Sequence, residues 1–267
     1  MIDILISNPG FNDISNFNKC FIDSIKLGNM KIFNFLLGKS EIDVNLIEKS
    51  KTPLISAIVN NNMEAFHILL DRPEINVNII CKNSTPLISA IKVGNTDALN
   101  TLLARPDINI NIISGNKTAL KTAVLKENFE IVELLLNQPE INVNDNSGDK
   151  TALKIAVKKE NIEIIKLLLN HPEINVNDNS GDETALKIAV EKENLEITEL
   201  LLNIPEIDVN DKSGNKTAIK IAADKLNIVM VKLLASRSEI EFNLETIYDD
   251  VNSKKLEIIL FLASLNK

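Results

Sequence analysis

The sequence predicts an all-α solenoid built from short helix–turn–helix units with projecting hairpin-like loops. Three observations predict it. Six threonines, Thr52, Thr85, Thr118, Thr151, Thr184 and Thr217, stand 33 residues apart with no insertion or deletion. Each is followed five residues on by an alanine and ten residues on by an asparagine: Ala57 and Asn62 open the series, Ala222 and Asn227 close it. Seven of the eight prolines fall at positions of the same period. A period of this length marks a repeat architecture, in which each unit is too small to bury its apolar face and must stack on its neighbours.

The elements of one unit follow from its residues in order. Threonine is a good N-cap because its hydroxyl accepts a backbone N–H that would otherwise be unpaired, and Pro53 and Pro86 then take the tolerant first helical position. In the unit from Thr151, Leu153, Ala156 and Val157 share one helical face at the i, i+3, i+4 spacing. The recurring alanine implies close approach of neighbouring backbones. Asn161 caps a second helix, Glu163 suits the positive end of its dipole, and Ile164, Ile165, Leu167, Leu168 and Leu169 make it apolar. Pro172 ends it, "EINVN" is extended, and "DNSGD" is a turn by composition. The organisation expected is one domain over 1–267, with an N-terminal unit at 15–48, six full repeats at 49–246 and a degenerate C-terminal cap at 247–267. Residues 1–14 read as half a unit, and Lys254 and Lys255 as a polar end to the stack.

"TPLISAI" at 52 and again at 85 resembles the Thr-Pro-Leu-His helix start of ankyrin repeats, and "IVELLL" with "INVN" resembles that family's second helix and loop. The resemblance spans about residues 15–267 and implies an ankyrin-repeat solenoid. The chain departs from the pattern in two ways. Ile55 and Ile88, then Lys121, Lys154, Lys187 and Lys220, stand where the family has histidine, which removes hydrogen bonds that usually stiffen the first-helix turn. The usual Gly-Ala-Asp-Val-Asn becomes Pro-Glu-Ile-Asn-Val-Asn, one residue longer. The family is also known for hydroxylation of the loop asparagine, here Asn78, Asn111, Asn144, Asn177 and Asn210; these residues are expected to hydrogen-bond their own loops.

Composition bounds the function. Apolar residues make up 45% of the 267, so a buried interior is available, and an aromatic share of 4% makes it aliphatic. Cys20 and Cys81 are too few for a disulfide framework. The start, "MIDILISNPG", lacks the positive charge of a secretory signal, and no stretch reaches the ~20 apolar residues of a membrane span. The chain therefore reads as soluble, cytoplasmic, monomeric and without membrane insertion. His67 and His171 lie on different repeats, the glycines at 148, 181 and 214 are single turn residues, and neither a catalytic site nor a metal or cofactor site is expected. The sequons at Asn83, Asn116 and Asn215 borrow their threonine from a helix cap.

The expected function is non-catalytic protein binding, as scaffold, adaptor or inhibitor, through the first helices and loop tips on the concave face. Two sets of residues vary there. Early units carry Val59, Val93 and the loop pairs Ile79-Ile80 and Ile112-Ile113, where later loops have Asp145-Asn146, Asp178-Asn179 and Asp211-Lys212. Such tips either mark a contact site or pack against the next loop. Middle and later units carry Lys117, Lys126, Lys150, Lys158, Lys159 and Lys192, with the lysines at the lost histidine position close by. Lys154 and Lys158, four apart, are expected to repel by about 0.2–0.5 kcal/mol. Either these lysines are a solvated face or they form a positive stripe, strongest at the units of Thr118 and Thr151, that receives an acidic segment of a protein. Lys187–Glu191 and Lys220–Asp224 are expected to pair along their helices. Two rivals are a nucleic-acid-binding basic face and a spacer or targeting arm of a larger assembly; formal net charge of -8 and the lack of interleaved aromatics count against nucleic acid.

Overall fold

The computed structural model describes residues 14–244 and 253–265. The half unit expected over 1–14, most of the start of the terminal cap, and the side chains of Lys254 and Lys255 lie outside the described residues. The chain divides into two compact units, Met1–Lys126 and Glu127–Lys267.

The first unit holds α1 (Ile14–Lys26), α2 (Met30–Leu37), α3 (Pro53–Val59), α4 (Met63–Leu70), α5 (Pro86–Val93), α6 (Thr96–Leu103) and α7 (Ala119–Leu125). Its first helices α1, α3, α5 and α7 pack in chain order, and α2, α4 and α6 each pack on the first helix of their own repeat. The second unit holds α8 (Phe129–Leu136), α9 (Ala152–Lys159), α10 (Ile162–Leu169), α11 (Ala185–Glu191), α12 (Leu195–Leu202), α13 (Ala218–Asp224), α14 (Ile228–Leu234) and α15 (Ser253–Leu265). There α9, α11 and α13 form the first-helix row, α8 packs on α10, α12 on α14, and α14 on α15. No strand occurs among the described residues.

Capping residues set both helix starts. Thr52 Oγ1 accepts the amide of Ile55 at 3.1 Å, and Thr85, Thr118, Thr151, Thr184 and Thr217 do the same three residues on. Asn62, Asn95, Asn128, Asn161, Asn194 and Asn227 cap the second helices in the same way. Each cap satisfies an amide that helix geometry leaves unpaired, and each contributes about 1 kcal/mol. The repeat alanines Ala57, Ala90, Ala123, Ala156, Ala189 and Ala222 have no exposed surface at all. A larger side chain there would overpack the contact between helices.

The loop asparagines do more than the sequence promised. Asn78 Nδ2 donates to the carbonyl of Asp107 at 2.6 Å while its Oδ1 accepts the amide of Asn109 at 2.8 Å. Asn45, Asn144, Asn177 and Asn210 bridge in the same way, always to the following repeat. The expectation that these residues bond their own loops is therefore corrected. That task falls to the residue two before, as when Asn76 Oδ1 accepts the amide of Asn78 at 2.9 Å. A side-chain amide presents both a donor and an acceptor, so one asparagine stitches two backbone positions of the next loop.

The two units close their loops differently. In the first, Glu48 and Lys51, Cys81 and Ser84, and Ser114 and Lys117 exchange both backbone hydrogen bonds across two-residue turns. Both central residues have positive φ, for example Gly115 at 58° and Asn116 at 60°, which is the turn that matches strand twist. In the second, each loop ends in a short 3₁₀ turn: Ser147–Asp149, Ser180–Asp182 and Ser213–Asn215. Gly181 has φ of 65°, and a Cβ there would lie 2.6 Å from Cβ of Asp149, so glycine is required both by its own backbone and by the preceding loop.

Candidate protein-interaction surface

Three of the lysines that replace the family histidine, Lys121, Lys154 and Lys187, are buried. Lys154 is 2% exposed. Its Nζ donates to Asp178 Oδ1, to the Ser180 carbonyl at 2.7 Å and to Ser180 Oγ at 3.0 Å, all in the loop of the next repeat. Lys187 repeats the arrangement with Asp211 Oδ1 at 2.5 Å, the Ser213 carbonyl at 2.5 Å and Ser213 Oγ at 3.0 Å. An ammonium has three donors, and each of these two uses all three, as a buried charge must. Burial alone would make Asp178 harder to ionise. The hydrogen bonds from Lys154, Ser180 and Asn146, with the lysine's charge, outweigh that and hold its carboxyl below the usual range. Asp211 is held down in the same way by Lys187, Ser213 and Asn179.

Two expectations are thereby corrected. The loss of the histidine does not leave the first-helix turn unsupported, because lysine is long enough to pin the following loop directly. The repulsion expected between Lys154 and Lys158 is also absent, since Lys154 points inward to Asp178 and Lys158 outward to Glu183 at 2.7 Å. Lys187 pairs with Asp211 rather than Glu191, whereas Lys220 takes Asp224 at 2.9 Å.

In the first unit Lys121 is likewise buried, but in the three repeats before it the same place is apolar. Ile22, Ile55 and Ile88 are buried there, and 24 residues on from each, the spacing of Lys154 to Asp178, stand Leu46, Ile79 and Ile112. Leu46 is buried, and Ile79 and Ile112 are half-buried. Ile80 and Ile113, one residue further, are exposed, as are Val59 and Val93 at the ends of α3 and α5. Of the apolar residues singled out from the sequence, Val59, Ile80, Val93 and Ile113 thus present surface, while Ile79 and Ile112 sit at the loop-pinning position. The ends of the first helices and the turns share one surface: Lys92 Nζ donates to the Asn83 carbonyl and to Ser84 Oγ, both at 3.2 Å.

The exposed lysines of the second unit are mostly neutralised. Lys159 pairs with Glu127 at 2.8 Å, Lys192 with Glu160 at 3.2 Å and Lys225 with Glu193 at 3.5 Å, one ladder in which each lysine reaches back 32 residues. Lys158 reaches forward 25 residues to Glu183. The lysines of the Thr151 unit, where the stripe is expected to be strongest, therefore have acidic partners. Lys150 is exposed and has no ion pair among the described residues. In the first unit, Lys117 and Lys126 are likewise exposed and unpaired among the described residues. The ladder was findable in the sequence by aligning the repeats and comparing neighbouring rows at an offset of 32, rather than reading down single columns.

Among the described residues, no three or more His, Cys, Asp or Glu side chains converge on a metal-sized site. Burial pushes the thiols of Cys20 and Cys81 up, away from nucleophilic character. No helix of the described residues is long and apolar enough to cross a membrane.

Capped helix pairs at a strict period, with asparagine-stitched loops, define a protein made of stacked helical repeats. The family model described as ankyrin repeats in three copies matches residues 21–114, 110–180 and 171–246, so the chain belongs to the ankyrin-repeat family. Among solved structures, the chain is similar to the ankyrin repeat domain of Bcl-3, described as a unique member of the IkappaB protein family. Identity is 20%, the TM-score is 0.69, and the match covers 81% of this chain and 97% of that one. It is also similar to the human ASB11 ankyrin repeat domain, at 20% identity and a TM-score of 0.61, covering 83% of this chain and 99% of that one. No curated protein sequence matches significantly. Ankyrin repeats are generally protein–protein interaction modules, and the family is generally non-catalytic.

Proposed function

We propose that this chain is a non-catalytic binding module that takes a protein partner on the surface formed by first-helix ends and loop tips, and that it acts in the cytoplasm as a single stack over 1–267. The observation that carries this reading is the contrast at equivalent positions. Val59, Ile80, Val93 and Ile113 leave apolar side chains in solvent in the first unit, where the second unit has Lys158, Lys159 and Lys192 paired with carboxylates, and Asn146 and Asn179 hydrogen-bonded to Asp178 and Asp211. Exposed apolar residues gathered on one surface cost solubility and mark contact sites. Lys150, Lys158, Lys159 and Lys192 belong at most to the rim of such a site, since exposed ion pairs contribute little affinity. A nucleic-acid partner fits less well, because the exposed residues of this surface offer no aromatic platform for bases.

The test uses the full chain as bait in extract from its native cell. Changing Ile80, Val93 and Ile113 to Ser should abolish capture of the specific partner while shifting stability by no more than about 0.5 kcal/mol per site, as for other exposed positions. Undiminished capture would reject the surface.

A further inference from the structure

The charge pairs of the second unit fix what the first unit should hold at equivalent places, and two of those places break the rule. Lys158 has Glu183 25 residues on. Its counterpart two repeats earlier, Lys92, has Lys117 at that spacing. Lys159 has Glu127 32 residues back. Its counterpart one repeat earlier, Lys126, has Gly94 there, with no side chain to offer. One attractive pair has become a repulsive one, and one carboxylate has been deleted, on the same edge of the first unit.

Lys92 feels the other two lysines. Partial burial, then the charges of Lys117 and Lys126, push the Lys92 ammonium below its usual range. Lys92 rests only on neutral acceptors, the Asn83 carbonyl and Ser84 Oγ, each at 3.2 Å. Folding does not ask for this arrangement. The chain uses the neutralised version in three consecutive ladder steps of the second unit. Nor is glycine required at 94: its φ of +71° is matched by Glu127, Glu160 and Glu193 at 55°, 58° and 57°, and a Cβ there would meet nothing within 4 Å.

We infer that Lys92, Lys117 and Lys126 form an anion-receiving site for an acidic segment of a protein, whose apolar residues seat on Val93 and Ile113. The inference rests on the protein-binding reading and gives its partner a chemistry. Val93 adjoins Lys92 in the chain at the end of α5, and Ile113 lies four residues before Lys117 in the turn-bearing loop. Both are about half exposed, at 47% and 48%. Carboxylates alternating with aliphatic side chains complement a surface that offers both features. Three cations beside aliphatic side chains suit such a segment better than a phosphate backbone, which needs a longer run of cations or stacking partners.

The experiment measures fluorescence anisotropy of a labelled synthetic peptide in which glutamate alternates with valine and leucine, against full-length protein at low and high salt. A glutamine-for-glutamate peptide and a labelled oligouridylate serve as comparators. The glutamate peptide should bind, and binding should weaken as salt rises. Gly94→Glu with Lys117→Glu, which reinstates the second unit's pairing, should weaken it about tenfold or more. Lys166→Glu, on a second helix, should leave it unchanged. If the double variant loses its helical signal, Lys117→Gln with Lys126→Gln gives the same reading without touching the left-handed position. Equal affinity for the glutamine peptide, equal affinity of the variants, or preference for oligouridylate would overturn the inference. If the extract partner is still captured through Val93 by Gly94→Glu/Lys117→Glu, this inference fails while the protein-binding reading stands. Loss of capture only in the Ile80, Val93 and Ile113 variant separates the two in the same way.

Discussion

The early repeats of the first unit and the repeats of the second solve one problem with opposite chemistry. Each first helix must hold down the loop of the next repeat. The first three repeats, before the buried Lys121, have isoleucine at the holding position, Ile22, Ile55 and Ile88, with Leu46, Ile79 and Ile112 at the matching loop positions. The second unit has Lys154 and Lys187, each buried and spending three donors on an aspartate and a serine. The apolar version needs no partner geometry, but it brings a second isoleucine into each early loop tip. Ile80 and Ile113 stay exposed there. The ionic version keeps its loop tips polar, and Lys158, Lys159, Lys192 and Lys225 on its surface are answered by glutamates. What is folded economically in one half is left sticky in the other, and function is best sought where the rule that would quiet the surface is not applied.

The largest expected effect comes from breaking an ionic pin. Lys154→Ala leaves Asp178 and the Ser180 acceptors partly buried without their donor, and should cost about 3–5 kcal/mol, the usual penalty for removing one member of a buried pair. Lys159→Ala, which breaks only an exposed pair, should cost no more than about 1 kcal/mol. Chemical denaturation of both variants measures the difference. Comparable losses would mean that the buried lysine holds nothing.

Acid should separate the units next. Asp178 and Asp211 lie below their usual range when folded, so they bind protons more readily in the unfolded chain. Their contribution is complete above the ordinary aspartate value of about 4 and is lost as pH falls through the lower folded value. Amide hydrogen exchange, corrected for intrinsic rates, should show α9 and α11 losing protection sooner than α3 and α5 as pH falls below about 4. Parallel loss in both units would count against the pins.

The smallest effect should come from exchanging one chemistry for the other. Lys154→Ile with Asp178→Ile transplants the first unit's residues into the second, and replacing a buried ion pair by packed apolar residues is near neutral or stabilising. A loss as large as that of Lys154→Ala alone would show that the two kinds of pin are not interchangeable.

The period, both caps, the alanine contacts and the second-helix ends were all legible in the sequence, because each depends on residues within one unit. What the sequence hid is carried between one repeat and the next. A lysine four residues from another lysine reads as a repulsive surface pair until the fold turns Lys154 toward Asp178, 24 residues away. Asn78 reads as a loop residue until the next loop, 29 to 31 residues on, is beside it. Lys159 reads as a free charge until Glu127 is found one repeat earlier, 32 residues back. The exposed tips Ile80 and Ile113 were legible, whereas their neighbours Ile79 and Ile112 could be told from them only by burial.

The central claim, that partner binding concentrates where the first unit leaves its surface unanswered, is tested most directly by site-specific photo-crosslinking in native extract. A photoreactive residue replaces Val93 in one protein and Lys192, its counterpart in the paired ladder three repeats on, in another. The account predicts that one partner crosslinks strongly from position 93 and weakly or not at all from position 192. Crosslinking to the same partner from position 192 alone, or equally from both, would contradict it.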